Sequence, residues 1–207
     1  MNTELIYSNL CNLRYPINEL YSRGIVDINE HLPTLRKLAE QCDHVTEMGT
    51  RKAISTLALI IANPKKVISI DLNYHFYAPY ENETNEFAKY CQTDFQFIEA
   101  DVLKIDIEKT DMLFIDTLHT YNQLSKELRK HEKNVNKWIV LHDTVTFGDR
   151  DENFYQNGIV SDEIKNDFIS KRGLYNALID FLEENKNWVI KEHYKNNNGL
   201  TIIERVC

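Results

Sequence analysis

Hydrophobic and polar positions alternate between two periods through the middle of the chain. "HVTEMG" is a short β-rich run closed by Gly49. "KAISTLALIIAN" is apolar almost all round and long enough for a helix, and it stops at Asn63-Pro64 because proline cannot extend a helix. "KVISID" reads as a strand, "NETNEFAKYCQ" as a helix, and "FQFIEAD" and "DMLFID" as two more strands. "YNQLSKELRKHEKN" is amphipathic, with Leu124 and Leu128 one turn apart, and "KWIVLHD" is a further strand. Nearly continuous apolar strands alternating with helices indicate a parallel sheet covered on both faces.

The pattern changes at both flanks. Residues 1–42 read as a helical extension packed outside the sheet. There, "DINEHLPTLRKLAEQC" offers Asp27 as an N-cap and Glu30 as its capping-box partner. Residues 144–172 are polar and carry Phe147, Phe154, Tyr155 and Phe168, which suits a lid over the end of the sheet. "GLYNALIDFLEEN" is a helix, and "NWVIKEHY" and "GLTIIERV", split by an Asn-rich turn, form an antiparallel hairpin. The expectation is a single α/β domain over residues 1–207, with a seven-stranded, mostly parallel sheet and a C-terminal antiparallel hairpin.

Composition narrows the partners. The 207 residues are 43% hydrophobic and 27% charged, ordinary for a globular protein. The net charge of −8 repels a phosphate backbone, so nucleic acid is not expected as a partner. No apolar run is long enough to span a membrane, and the N-terminus does not read as a signal peptide. Cys11, Cys42, Cys91 and Cys207 form no CxxC pair and read as free thiols, which fits a cytoplasmic location. Self-association is left open.

Ligands of open α/β sheets bind at the carboxyl ends of the strands. At the first strand end, Gly49 lets the backbone approach a ligand closely, and a helix starting near Thr50 offers free N–H groups. Glu47 just before it can accept from an ammonium group. Asp71 ends the second strand, 22 positions past Gly49, where an acid can hold both hydroxyls of a ribose. Asp101 ends the third and can accept an adenine amino group, with Val102 against the ring. Any one of these would also suit an ordinary turn or cap. Together they point to an adenosine ligand, and the terminal hairpin favours S-adenosylmethionine over NAD.

Two later strands end in Asp and His: Asp116 with His119, then His142 with Asp143. If the fourth and fifth strands are neighbours, Asp116 and Asp143 lie side by side and repel unless a cation or proton sits between them. A divalent ion such as Mg²⁺ resolves this; His142 favours Mn²⁺ or a transition metal, and a metal-free reaction is the alternative. His75, His131 and His193 read as surface or turn histidines.

"DHVTEMGTRKAISTLALI", "VISIDL", "EAD", "LFIDTLHTY", "IVLHDT" and "NNGLTIIER" together resemble the class I S-adenosylmethionine-dependent methyltransferases, over roughly residues 27–206. Within that class the chain is most similar to the small metal-dependent sugar O-methyltransferases, the macrolide-sugar and cephalosporin-hydroxylase-like group, and to catechol-type relatives. The resemblance implies a Rossmann-like methyltransferase fold and methyl transfer to a hydroxyl of a sugar or glycan. It implies cofactor contacts from Glu47, Gly49, Thr50, Arg51, Ser55, Asp71, Leu72, Asp101, Val102 and Asp116. Asp116, Asp143 and His142 would hold the metal, and His119, at the family's base position, would take the hydroxyl proton. His119 and Thr144 would meet the acceptor, and in the loop after the fifth strand Asp149, Arg150 and Asp151 are of the residue types that contact carbohydrate. The sequence departs from the family where His142 replaces an acid of the sugar enzymes and Thr144 an amide of the catechol type. A catechol- or polyketide-type acceptor, or a non-catalytic cofactor-binding protein, are the alternatives.

Overall fold

The computed structural model describes residues 2–12, 27–153, 160–165 and 171–206. The strands are β1 (His44–Met48), β2 (Lys66–Asp71), β3 (Asp94–Glu99), β4 (Thr110–Ile115), β5 (Val135–His142), β6 (Trp188–Tyr194) and β7 (Leu200–Arg205). They form one sheet in the order β3-β2-β1-β4-β5-β7-β6. Pairing is parallel from β3 through β5, and β7 joins β5 antiparallel. The helices are α1 (Thr3–Asn12), α2 (Leu32–Ala39), α3 (Ile54–Ile61), α4 (Tyr74–Tyr77), α5 (Glu81–Cys91), α6 (Tyr121–His131), α7 (Asp162–Lys165) and α8 (Leu174–Glu184).

Side chains alternate across each strand, which divides the core in two. Val45, Val67, Met112, Phe114 and Val140 face α1, α2, α3 and α5. Met48, Leu113, Ile115, Ile139 and Leu141 face α6 and α8, where Leu124, Leu128, Leu178 and Phe181 meet them. Residues Ile54–Ile61 are all buried, which explains why that helix is apolar on every side. The expected sheet, its two covered faces and the hairpin are all present.

Local details differ from the sequence expectation. The helix after β1 begins at Ile54, not near Thr50, because Arg51 and Ala53 take left-handed backbone angles (φ 41° and 55°) and delay it. Asp27 does not cap α2. Pro33 sits in the first turn, where its missing N–H costs nothing, and His31 occupies the cap position without a side-chain capping bond to the helix. Asp27 and Glu30 instead bond Asn198 and Asn196 of the β6–β7 turn. His131 is fully buried rather than superficial, with Nε2 at 2.8 Å from the Val102 carbonyl. Cys11, Cys42 and Cys91 are free thiols. Among the described residues no helix is long and apolar enough to cross a membrane.

Strand order reverses between β1 and β4, with β2 and β3 on one side and β5 on the other. This switch point opens a crevice at the carboxyl ends of the strands. Gly49 and Asp116 sit on either side of it. Gly49 has φ +90°, and a Cβ there would fall 1.9 Å from the Asp116 carbonyl oxygen, so only glycine fits.

Candidate active site

A cavity of about 370 Å³ fills the crevice, within the roughly 300–1,000 Å³ usual for a ligand pocket. Gly49, Arg51, Asp71 and Leu72 line it on the β1–β2 side, and Asp101 and Val102 on the β3 side. Asp116, His119 and Glu152 close the opposite end.

The two aspartates of the β2–β3 side are partly committed to the backbone. Asp71 Oδ2 accepts from the N–H groups of Thr50 and Arg51 at 2.9 and 2.8 Å, and Oδ1 from Asn73 N–H at 3.1 Å. A carboxylate has about four lone-pair sites, so Asp71 keeps capacity for one hydroxyl rather than the two expected. The same bonds occupy the backbone N–H groups of Thr50 and Arg51. Asp101 accepts from Leu103 N–H and Ser161 Oγ, and Lys104 Nζ lies 3.5 Å from its Oδ2.

Glu47, Thr50, Ser55, Thr144, Asp149 and Arg150 lie away from the cavity wall, as do the expected metal ligands His142 and Asp143. Glu47 is wholly enclosed and accepts hydroxyl hydrogen bonds from Ser55, Thr56 and Ser69. Burial pushes its carboxyl up to about 7 against the pull of those hydroxyls. Glu47 and Ser55 therefore brace the β1–α3 turn from behind. Thr144 is buried and bonds the Thr201 hydroxyl at 2.9 Å, below the site. Arg150 is exposed, folds back to the Thr146 carbonyl at 3.1 Å, and does not line the cavity. Asp149 is likewise exposed and off the cavity wall. Of the proposed lid, Phe154, Tyr155 and Phe168 lie outside the described residues.

The β4–β5 end is the chemically dense one. Register pairs Ile115 with Leu141, so Asp116 and His142 leave adjacent strands together. Asp143 follows with φ +59°, a left-handed angle that turns its carboxylate back toward Asp116. His119 Nε2 lies 3.2 Å from Asp116 Oδ1 and 3.0 Å from Asp143 Oδ2. Its Nδ1 lies 2.9 Å from Glu152 Oε2. Phe147 stacks on the His119 ring at 4.9 Å and 7°, holding it flat. Burial alone would lower the pKa of His119, but Asp116, Glu152 and Asp143 push it up to about 10. Burial likewise opposes ionisation of Asp116, yet His142 and His119 hold its carboxyl well below the usual range.

Glu152 is the residue that sequence reasoning missed. It lies in the polar stretch after β5 as one acid among several, and only the return of that loop over His119 reveals it. Its backbone N–H also donates to the His119 carbonyl at 2.8 Å, locking the two segments together.

Asp116, His142 and Asp143 bring three ligand atoms within 4.8 Å of one another. The donor set fits a divalent ion. His142 Nδ1 and Asp143 Oδ1 are buried and make no hydrogen bond, although both sit in the cluster. Buried polar atoms without partners are rare, and here they converge with carboxylates. Glu127 lies just behind, with Oε1 accepting from Thr117 and Gln123 at 2.7 Å each.

No family model and no curated protein gives a match to the sequence. Solved structures do. The O-methyltransferase from Bacillus cereus in complex with SAH aligns over 98% of this chain and 90% of its own, at 13% identity and TM-score 0.60. TomG, an O-methyltransferase of tomaymycin synthesis from Streptomyces achromogenes solved with SAM, aligns over 100% of both chains at 13% identity and TM-score 0.54. The N-terminal domain of EvdMO1, solved in the presence of SAH and D-fucose, aligns over 100% of this chain and 98% of its own at 14% identity and TM-score 0.54. This chain has the class I methyltransferase fold. In that fold the switch-point crevice between β1 and β4 carries both the adenosine-compatible wall and the Asp/His cluster.

Proposed function

We propose that the chain is an S-adenosylmethionine-dependent O-methyltransferase acting on a hydroxyl of a sugar or glycan. The observation that carries this reading is the continuity of one cavity. It joins Gly49, Asp71 and Asp101, suited to an adenosine, to Asp116, His119 and Glu152, suited to an acceptor hydroxyl. Arg51 is the one lysine or arginine among its described lining residues and would meet the methionine carboxylate.

Methyl transfer is an in-line displacement, so the chain must place the acceptor oxygen opposite the sulfonium and receive its proton. His119 is the group for the proton. Glu152 lies 2.9 Å from its Nδ1, an ion-pair contact that falls outside hydrogen-bond geometry, and Nε2 is directed at the cluster. A divalent ion held by Asp116, Asp143 and His142 would lower the hydroxyl's pKa and neutralise the carboxylates that now retain the His119 proton. Phe147, stacked on His119, excludes water from one face of the ring. A sugar acceptor is favoured because two neighbouring oxygens of a diol suit such an ion, and because a neighbour of this fold was solved with D-fucose.

The test is transfer of labelled methyl from S-adenosylmethionine to a panel of sugars, glycans and catechols, with and without chelator. Turnover on sugars, lost in H119A, is expected. Turnover on catechols alone would replace the sugar by the alternative acceptor. Cofactor binding without turnover on any acceptor would leave a non-catalytic binder.

A further inference from the structure

His142 is the departure in the Asp/His cluster, and its ring is held on every side. Its side chain is fully buried at the end of β5. Nε2 lies 3.2 Å from the Asn197 carbonyl, which can only accept, so Nε2 carries the hydrogen. In the neutral ring, the form an ion would bind, Nδ1 is then a bare lone pair. Without an ion, burial would lower the ring's pKa, but the Asp116 and Asp143 carboxylates raise it well above the usual value. That atom makes no hydrogen bond. It faces Asp143 Oδ2 at 3.3 Å and Asp116 Oδ1 at 3.5 Å. Donor atoms about 2.1 Å from a common ion lie roughly 3.0–3.4 Å apart, so these are spacings of adjacent ligands.

The carbonyl that sets the tautomer is itself fixed. Asn198 O accepts from Val145 and Thr146 N–H at 2.9 and 3.0 Å. Asn197 Oδ1 accepts from Glu30 N–H at 3.1 Å, and His31 Nε2 lies 3.0 Å from Asn196 O. The His31 ring meets His142 edge-on at 5.7 Å. Segment 27–31 and the β6–β7 turn thus hold one ring nitrogen toward the carboxylates. Mg²⁺ prefers oxygen ligands and dehydrates reluctantly, whereas imidazole suits Mn²⁺ and the later first-row ions.

We infer that His142 makes this a mixed nitrogen–oxygen centre, ligated through Nδ1, that takes Mn²⁺ or a later first-row divalent ion in preference to Mg²⁺. The inference rests on the reading above that Asp116 and Asp143 hold a cation, and it adds which ion and which atom. Chelator-stripped protein is titrated calorimetrically with Mn²⁺ and with Mg²⁺, and the Mn²⁺-loaded protein is examined by pulsed electron paramagnetic resonance. Wild type should bind Mn²⁺ at least about tenfold more tightly than Mg²⁺ and show a ¹⁴N coupling. H119A should keep that coupling, and H142D should lose it and narrow the preference. Equal affinity for the two ions, no nitrogen coupling, or a coupling that disappears in H119A but persists in H142D would overturn the inference. The wild-type measurements decide it even if H142D does not fold. A nitrogen-coupled Mn²⁺ in a protein that transfers no methyl upholds the centre and removes the transferase reading. Full methyl transfer by ion-free protein does the reverse.

Discussion

Two buried carboxylate clusters lie at neighbouring strand ends, and they are built on opposite terms. At the end of β1, Glu47 is enclosed with hydroxyls from Ser55, Thr56 and Ser69 on its oxygens. At the ends of β4 and β5, the buried Asp143 and the half-buried Asp116 on the cavity wall meet two histidines, and His142 Nδ1 and Asp143 Oδ1 make no hydrogen bond. The first cluster is satisfied from within the chain. The second pairs its carboxylates with histidines and leaves two buried polar atoms without a hydrogen bond. Both look alike as buried charge; the difference lies in which lone pairs are already spoken for.

The comparison can be broken by experiment. The largest effect is expected at the second cluster. H119A should reduce methyl transfer by about 10²–10⁴-fold, the usual contribution of a positioned acid–base group. Cofactor binding, measured calorimetrically, should change little. Loss of cofactor binding equal to the loss of rate would mean that His119 supports the cavity rather than the chemistry.

G49A comes next, because it strains the joint between the two clusters. The new Cβ would meet the Asp116 carbonyl at 1.9 Å from a left-handed backbone. A loss of about 3 kcal/mol or more in denaturant unfolding is expected.

At the satisfied cluster the effects are on stability and pH. The Glu47 carboxyl sits at about 7 in the folded protein against an ordinary 4.5. The folded state therefore holds the proton more tightly. That stability is fully present below pH about 4.5 and is lost as pH rises through about 7, by up to about 3 kcal/mol. E47Q should flatten this dependence of the melting temperature. E47A should lower stability at every pH, since it leaves three buried hydroxyls without their acceptor.

Glu127 tests the boundary between the two kinds of cluster. It is raised to about 7 by burial, against Gln123 and Thr117, and its Oε2 has no partner. E127Q should flatten the same pH window with a smaller change in rate than H119A. The smallest effect is expected from D149A and R150A, whose side chains are exposed and off the cavity wall. Together they should alter the rate by less than about threefold, and surface changes of this kind cost little stability.

The alternation of apolar strands and helices was enough to read the sheet, and the Asp-plus-His endings of two strands were enough to locate the cluster. Both are local patterns whose consequence follows from parallel pairing of β4 and β5. What stayed hidden depends on contacts between distant segments or on backbone angles with no composition signal. Glu152 reaches His119 only by the return of a loop. Arg51 and Ala53 take left-handed angles without being glycine, which displaced the start of α3. Asp71 looked free to bind a ligand, yet its carboxylate is partly engaged by the backbone that its own strand end brings close. Glu47 read as a ligand contact because nothing in the sequence places Ser69 beside it.

The antiparallel insertion of β7 between β5 and β6 sets an order of assembly. The carbonyl that fixes His142 belongs to Asn197, 55 residues further along. As the chain emerges during synthesis, Asp116, His119 and Asp143 are made well before that carbonyl. A nascent chain that stops short of residue 197 lacks the acceptor that settles which ring nitrogen faces the carboxylates. On the proposed reading of the cluster, selective capture of an ion would wait until the last hairpin has closed.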